Sequence, residues 1–135
     1  MIRPAAIAAT ALLGLAACEP AATANATVEG NVPLESYYMV GIGQDAAPER
    51  NMAIRFTENQ IIGSGPCNSF TATNAATLPA IQVSSFVPTA APCNESALEQ
   101  RFFNAMRQAT SADYSGGVLL VKGPTYMQFE PGRPL

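Results

Sequence analysis

From about Tyr37 onward the chain is dominated by short apolar alternations. Tyr38, Val40 and Ile42 alternate with Met39 and Gly41, and Met52, Ile54 and Phe56 alternate with Ala53, Arg55 and Thr57. A period of two puts one set of side chains on a buried face and the other in solvent, which predicts half-buried strands. Thr57-Glu58-Asn59-Gln60 is polar and leads into Ile61-Ile62, which predicts a hairpin. Phe70 and Ala72 sit between Ser69, Thr71 and Thr73, and Ile81 and Val83 alternate with Gln82 and Ser84. Near the C-terminus, Val118–Val121 is an apolar run after Gly116-Gly117, and Met127 and Phe129 alternate with Tyr126, Gln128 and Glu130. Strands at this spacing, separated by Gly, Pro and Asn, predict a small antiparallel β-barrel or sandwich.

One segment has a different period. Leu98, Phe102, Ala105, Met106 and Ala109 recur at helical spacing, with Glu99, Arg101, Arg107 and Gln108 assigned mostly to the other face. Asn94 suits an N-cap, and Glu95 suits the positive end of the helix dipole. A single helix is therefore expected at about 95–109, packed on the sheet, in a mostly β fold.

The N-terminus belongs to neither pattern. After Arg3 and Pro4 the chain is apolar from Ala5 to Ala17, interrupted by Thr10 and Gly14. That run is shorter than the roughly 20 residues a spanning helix needs. A positive charge, a short apolar stretch and small residues before a polar segment are the features of a secretory signal, expected over residues 1–17. Its end, Leu15-Ala16-Ala17-Cys18, resembles the bacterial lipobox. The resemblance implies that Cys18 carries a diacylglyceryl group and becomes the first residue of the mature chain, and that the domain's first partner is membrane lipid. Two or three acyl chains at ~0.8 kcal/mol per buried CH₂ would hold the chain on a membrane. Residues 18–35, rich in Ala, Thr, Asn and Pro, are expected to form a flexible tether with a reach of roughly 20–25 Å. Glu19 is not the Asp that resembles an inner-membrane retention signal, so the outer membrane is favoured over the cell membrane, with the domain facing the periplasm or the exterior.

Composition narrows the chemistry. The 135 residues contain 7 basic and 10 acidic side chains, no His and 3 Cys. Without His there is no Ser-His-Asp or Cys-His triad and no imidazole-ligated metal site. Loss of Arg3 with the signal leaves a net charge of −4, the wrong sign for nucleic acid. No cofactor, metal or catalytic residue is expected. With Cys18 assigned to lipid, Cys67 and Cys93 remain. In an exported small domain such a pair is expected to be a disulfide. A redox pair normally has closer spacing, and two thiolates without His make a poor metal set. Gly63-Ser64-Gly65 is a partial phosphate-loop pattern, but no helix follows it, so a turn is expected.

The residues around the cysteines carry a family resemblance. Gly63-Ser64-Gly65-Pro66-Cys67-Asn68-Ser69-Phe70 resembles the Gly-x-x-Gly-Cys-Asn-x-Phe/Tyr element of the META domain (HslJ-like) family, and Thr89-Ala90-Ala91-Pro92-Cys93 resembles its Thr-x-x-x-Cys element. Glu95, Glu99 and Phe102 follow on a helix, as in that family. The resemblance spans about residues 35–131 and implies a META-like domain at 36–131. Tyr38 stands where the family has Trp, Pro66 where it has Gly and Pro92 where it has a small residue; the Gly expected at Thr71–Thr73 is absent. In physical terms, Gly63 and Gly65 are expected to allow positive φ in a tight turn, Asn68 to bond that turn's backbone, and Thr89 to do similar work before the helix.

These features point to a noncatalytic envelope lipoprotein, stress-related or binding another envelope component. The alternative is a hydrolase inhibitor of the lysozyme-inhibitor kind, or another specific periplasmic binding module, for which an acidic chain suits a basic target. An enzymatic role would rest on Glu95 and Glu99, one helical turn apart, but acids near a helix start are favoured there in any case, and a solvated face is expected. Asp113 and Tyr114 are expected in a turn.

Overall fold

Residues 27–133 are described by a computed structural model of the chain. The expected signal at 1–17, Cys18 and the expected tether up to residue 26 lie outside the described residues.

The architecture is mostly β with one helix, as the alternations predict. The elements are β1 (Val28–Glu29), β2 (Val32–Pro33), β3 (Ser36–Ile42), β4 (Asp45–Ala46), β5 (Ala53–Phe56), β6 (Gln60–Ser64), β7 (Ser69–Asn74), β8 (Val83–Pro88), α1 (Ala97–Arg107), β9 (Ser111–Ser115), β10 (Val118–Lys122) and β11 (Met127–Pro131). The main sheet runs β8-β7-β6-β5-β3-β11-β10-β9, antiparallel at every pairing, with β4 added to β3. It curls until its two ends meet along a short seam. There Ile81 N–H donates to Thr110 O at 2.9 Å, Ala112 N–H donates to Pro79 O at 2.8 Å, and Ala80 bridges Ser111. Closure at the seam protects part of the edge that an open sheet would expose.

Helix α1 lies on the inner face of this curled sheet. Its Phe102 and Phe103 rings pack on Phe70 of β7 at centroid distances of 5.8 and 5.0 Å, and Phe102 meets Phe129 of β11 at 6.2 Å. With Met39, Ile54, Ile61, Leu119, Val121 and Met127 they form the core. The pattern Met52-Ile54-Phe56, the hairpin into Ile61, and the β10 and β11 alternations are all found as expected.

Several expectations are corrected. The helix starts at Ala97 under a Ser96 cap, not at Glu95 under Asn94; Ser96 Oγ accepts from Glu99 N–H at 3.1 Å. It ends at Arg107 rather than Ala109. In β3, partners Gly41 and Met39 flank an unpaired Val40, a bulge that shifts the phase. Tyr37 and Met39 therefore share the core with Ile42, while Tyr38 packs on the other face under the Arg50 guanidinium, 3.8 Å away. Ile81 is buried in the seam, and its strand begins two residues later, at Val83. Asp113 and Tyr114 sit in strand β9; the turn is Gly116-Gly117, with φ of 58° and 80°, as a two-residue hairpin requires.

The distal part of the expected tether is also folded. Residues 28–33 form a two-stranded hairpin, Val32 is fully buried, and Asn31 donates to Asp113 and to Tyr114 O. A Cβ at Gly30, which has φ of 64°, would press on Leu78 and Pro79. The hairpin thus sits over the seam. Its two strands are too short for the period-two pattern to register, and Val32 supplies the apolar contact that holds it.

Candidate functional site

Strand β7 ends at two polar corners, and the cysteines define one of them. A tight turn from Gly65 to Asn68, closed by Gly65 N–H to Asn68 O at 2.7 Å, connects β6 to β7. Cys67 in this turn is bonded to Cys93 in the segment before α1, with Cα atoms 6.0 Å apart. The expected disulfide is present.

Asn68 ties the same two segments together without covalent chemistry. Its Oδ1 accepts from Thr89 Oγ1 at 3.1 Å and from Ala91 N–H at 2.8 Å, and its Nδ2 donates to Cys67 Sγ at 3.4 Å. Thr89 Oγ1 in turn accepts from Ser69 N–H at 3.0 Å. Asn68 therefore reaches across to the 89–91 backbone rather than bonding its own turn, and Thr89 serves the strand rather than the helix start.

Beneath them lies Glu99, 0% exposed, on the first turn of α1. Its Oε1 accepts from both Cys67 N–H, at 3.0 Å, and Asn68 N–H, at 2.9 Å. Its Oε2 is buried with no hydrogen-bond partner among the described residues. This overturns the solvated-face expectation. Ser96-x-x-Glu99 has the spacing of a capping box, but Glu99 sends its carboxyl group outward to another element instead of back to its own cap.

The two glycines make room for these groups. Neither Gly63 nor Gly65 has positive φ, so the expectation of conformational freedom is corrected. Gly63 is in strand β6, paired with Phe70, where a Cβ would enter the Phe70 ring; a Cβ on Gly65 would enter the Glu99 carboxyl. What both positions require is the absence of a side chain.

A cleft of about 310 Å³ opens beside this corner, between α1 and the end of β8. Asn68, Pro88 and Thr89 line one wall and Gln100, Asn104 and Arg107 the other, with Phe103 and Glu95 completing it. Arg107 is preset: its Nη1 donates to Asn104 Oδ1 at 2.8 Å and its guanidinium carbon lies 4.3 Å from the Phe86 ring centre. The cleft combines three amides, a cation, a carboxylate and an aromatic floor, a set suited to holding a ligand of mixed polarity. Glu95 faces this cleft while Glu99 is locked to backbone, so the two carboxyl groups do different jobs. Among the described residues no group of three or more Cys, Asp or Glu is placed to hold a metal ion.

Of the residues singled out from sequence, the structure gathers Gly65, Cys67, Asn68, Thr89 and Cys93 at one corner, with Gly63 behind them under Phe70. Cys18 lies outside the described residues. Phe103, Asn104 and Arg107 join the site unannounced, and Glu99, expected on a solvated face, joins it as a buried group. Glu99 carried one usable signal: it falls three and four residues before Phe102 and Phe103, on the apolar side of the helix.

A family model described as the META domain matches residues 31–131. No curated protein matches the chain. Among solved structures it is similar to a DUF4847 family protein from Bacteroides vulgatus, at 14% identity and a TM-score of 0.57, over 76% of this chain and 95% of that one. At that identity the likeness concerns the fold.

Proposed function

The chain belongs to the META domain family, and from that premise we propose that it is a noncatalytic envelope lipoprotein whose domain binds another envelope component in the cleft between α1 and β8. The observation that carries this reading is the cleft itself. It presents an oriented Arg107, the amides of Gln100 and Asn104, and the Phe103 floor opposite a wall pinned by a disulfide and by Asn68. Pinned polar groups bind without a large ordering cost. The absence of His from the chain supports a binding role over hydrolytic or metal chemistry. Leu15-Ala16-Ala17-Cys18 supports acylation of Cys18, and Glu19 supports an outer-membrane address with the domain in the periplasm or outside the cell. A stress-related role is the physiological setting suggested by family resemblance.

The test places a photo-crosslinking residue at Asn104 in the native envelope. A discrete crosslinked partner, lost when Gln100→Trp fills the cleft, is the expected result; crosslinking indifferent to Gln100→Trp would sink the proposed location. Fractionation of Cys18→Ala tests the anchor separately, and a variant still fully membrane-bound would refute lipidation as its basis. Inhibition of a lysozyme by the purified protein at about micromolar concentration would instead favour the inhibitor reading.

A further inference from the structure

The two sulfurs of the Cys67–Cys93 bridge stand in unlike surroundings. Cys93 is exposed, in a segment that is exposed throughout from Val87 to Asn94, whereas Cys67 is half-buried in the β6–β7 turn. The half-buried sulfur also has a donor, since Asn68 Nδ2 lies 3.4 Å from Cys67 Sγ. An attacking thiolate reaches the exposed sulfur more readily, and a donor on the other sulfur favours its departure as thiolate. We propose that the bridge is a site of directional thiol–disulfide exchange, attacked at Cys93 with Cys67 as leaving group, whose partner is a thiol or dithiol of the envelope.

The step balances. A thiolate attacks Cys93 Sγ and forms a mixed disulfide there as the Cys67–Cys93 bond breaks. The electron pair stays on Cys67 Sγ, which accepts from Asn68 Nδ2. With a dithiol donor, the second donor thiolate then attacks its own sulfur in the mixed disulfide and releases Cys93. The donor leaves as a disulfide, and two electrons have passed to the two cysteines.

The fold confines what this opening can disturb. The β6–β7 turn keeps its own fastenings, from Cys67 N–H and Asn68 N–H to Glu99 Oε1 and from Gly65 N–H to Asn68 O. Among the described residues, the segment from Ala90 to Asn94 keeps only the bond from Ala91 N–H to Asn68 Oδ1. Exchange therefore frees the segment before the helix and leaves the sheet closed.

The full chain in detergent is exposed to reduced glutathione under native conditions and quenched with N-ethylmaleimide. Mass mapping should find glutathione on Cys93 and maleimide on Cys67, roughly tenfold over the converse. Deuterium exchange of the reduced chain should rise across 90–95 while 61–73 stays protected. Asn68→Asp keeps both acceptor bonds but loses the donor to sulfur, and it should slow exchange by about tenfold without loss of protection in β7. Reaction only after denaturation, glutathione on Cys67, loss of protection across β6 and β7 on reduction, or an unchanged rate in Asn68→Asp would each overturn the proposal.

Discussion

Strand β7 has an asparagine at each end, and the two ends are built alike up to a point. Asn74, its last residue, accepts from Ala76 N–H and Gln82 N–H through Oδ1 and donates to Ala80 O through Nδ2. Asn68, just before its first residue, likewise accepts from Thr89 Oγ1 and Ala91 N–H. In both places a buried side-chain amide replaces ladder bonds where the chain leaves the sheet. Beyond that the ends diverge. At the Asn74 end the seam is sealed by backbone bonds under the β1–β2 hairpin, where Asn31 donates to the Asp113 carboxylate and Glu29 also has one carboxyl oxygen without a partner among the described residues. At the Asn68 end there are also a covalent bond, a fully buried carboxyl group that accepts from two backbone N–H groups, and an open cleft. Neutral amides suffice to end a strand, as Asn74 shows, so the added chemistry at Asn68 exceeds what closure requires. That surplus is why the functional reading is placed there.

The largest effect should come from the feature present at only one end. Glu99→Ala leaves Cys67 N–H and Asn68 N–H without their acceptor and opens a cavity against Gly65. Urea denaturation should show a loss of about 3–5 kcal/mol. Glu99→Gln keeps one acceptor oxygen and should lose roughly 1–2 kcal/mol. Equal losses for Ala and Gln would mean that the two N–H bonds contribute little, and the contrast between the ends would shrink to the disulfide.

The bridge comes next. Closing a loop of 26 residues' separation contributes about 3.5 kcal/mol in the chain-entropy model, so Cys67→Ser with Cys93→Ser should lose nearly that much yet stay folded. Asn74→Ala should cost about 2 kcal/mol, because its bonded groups lie near the surface and regain water. Its cost should be the same in the oxidised and reduced protein, since the ends of β7 are roughly 17–20 Å apart. Asn68→Ala shares its segment with the bridge, so its cost should rise by about 1 kcal/mol on reduction. A redox-sensitive Asn74→Ala would show that the two ends are coupled rather than independent.

How much of this was legible in sequence follows the same division. Strands that keep one phase, such as Met52-Ile54-Phe56 and Met127–Phe129, were read correctly because inward and outward residues alternate without interruption. β3 misled because the Val40 bulge shifts the phase midway. β9 was missed because Ser111–Ser115 buries only Ala112 fully, leaving no alternation to see. The hairpin over the seam was hidden by the brevity of its strands. Cys67, Asn68, Thr89 and Cys93 stood out because turn-forming residues cluster around them. Glu99 did not, because a charged residue on an apolar helix face is read as outward unless a remote partner is known. Its partner is the backbone of Cys67 and Asn68, 32 and 31 residues away. The missing Cβ at Gly65 is the only trace of that contact near the turn.

The smallest effect tests whether the seam end has any ionisation dependence. The Tyr37 hydroxyl donates to Pro33 O at 2.8 Å, so it fastens the β1–β2 hairpin that covers the seam. Burial pushes its phenol well above the ordinary tyrosine range, with smaller contributions from Glu35 and Tyr114. In the unfolded chain this phenol ionises near about 10. Below that pH both states hold the proton and the stabilisation is intact. Above it the unfolded chain releases the proton while the folded chain retains it, so stability falls as pH rises. Tyr37→Phe should lose about 1 kcal/mol at neutral pH and show a flatter alkaline limb in urea midpoints measured from about pH 8 to 11. Deuterium exchange in the wild type should rise first in residues 28–34 and at the seam, with the Cys67–Cys93 corner unaffected. Parallel alkaline limbs in the two proteins would remove Tyr37 as the cause. Loosening that began at the cysteine corner would instead assign the pH-sensitive group to the other end of β7.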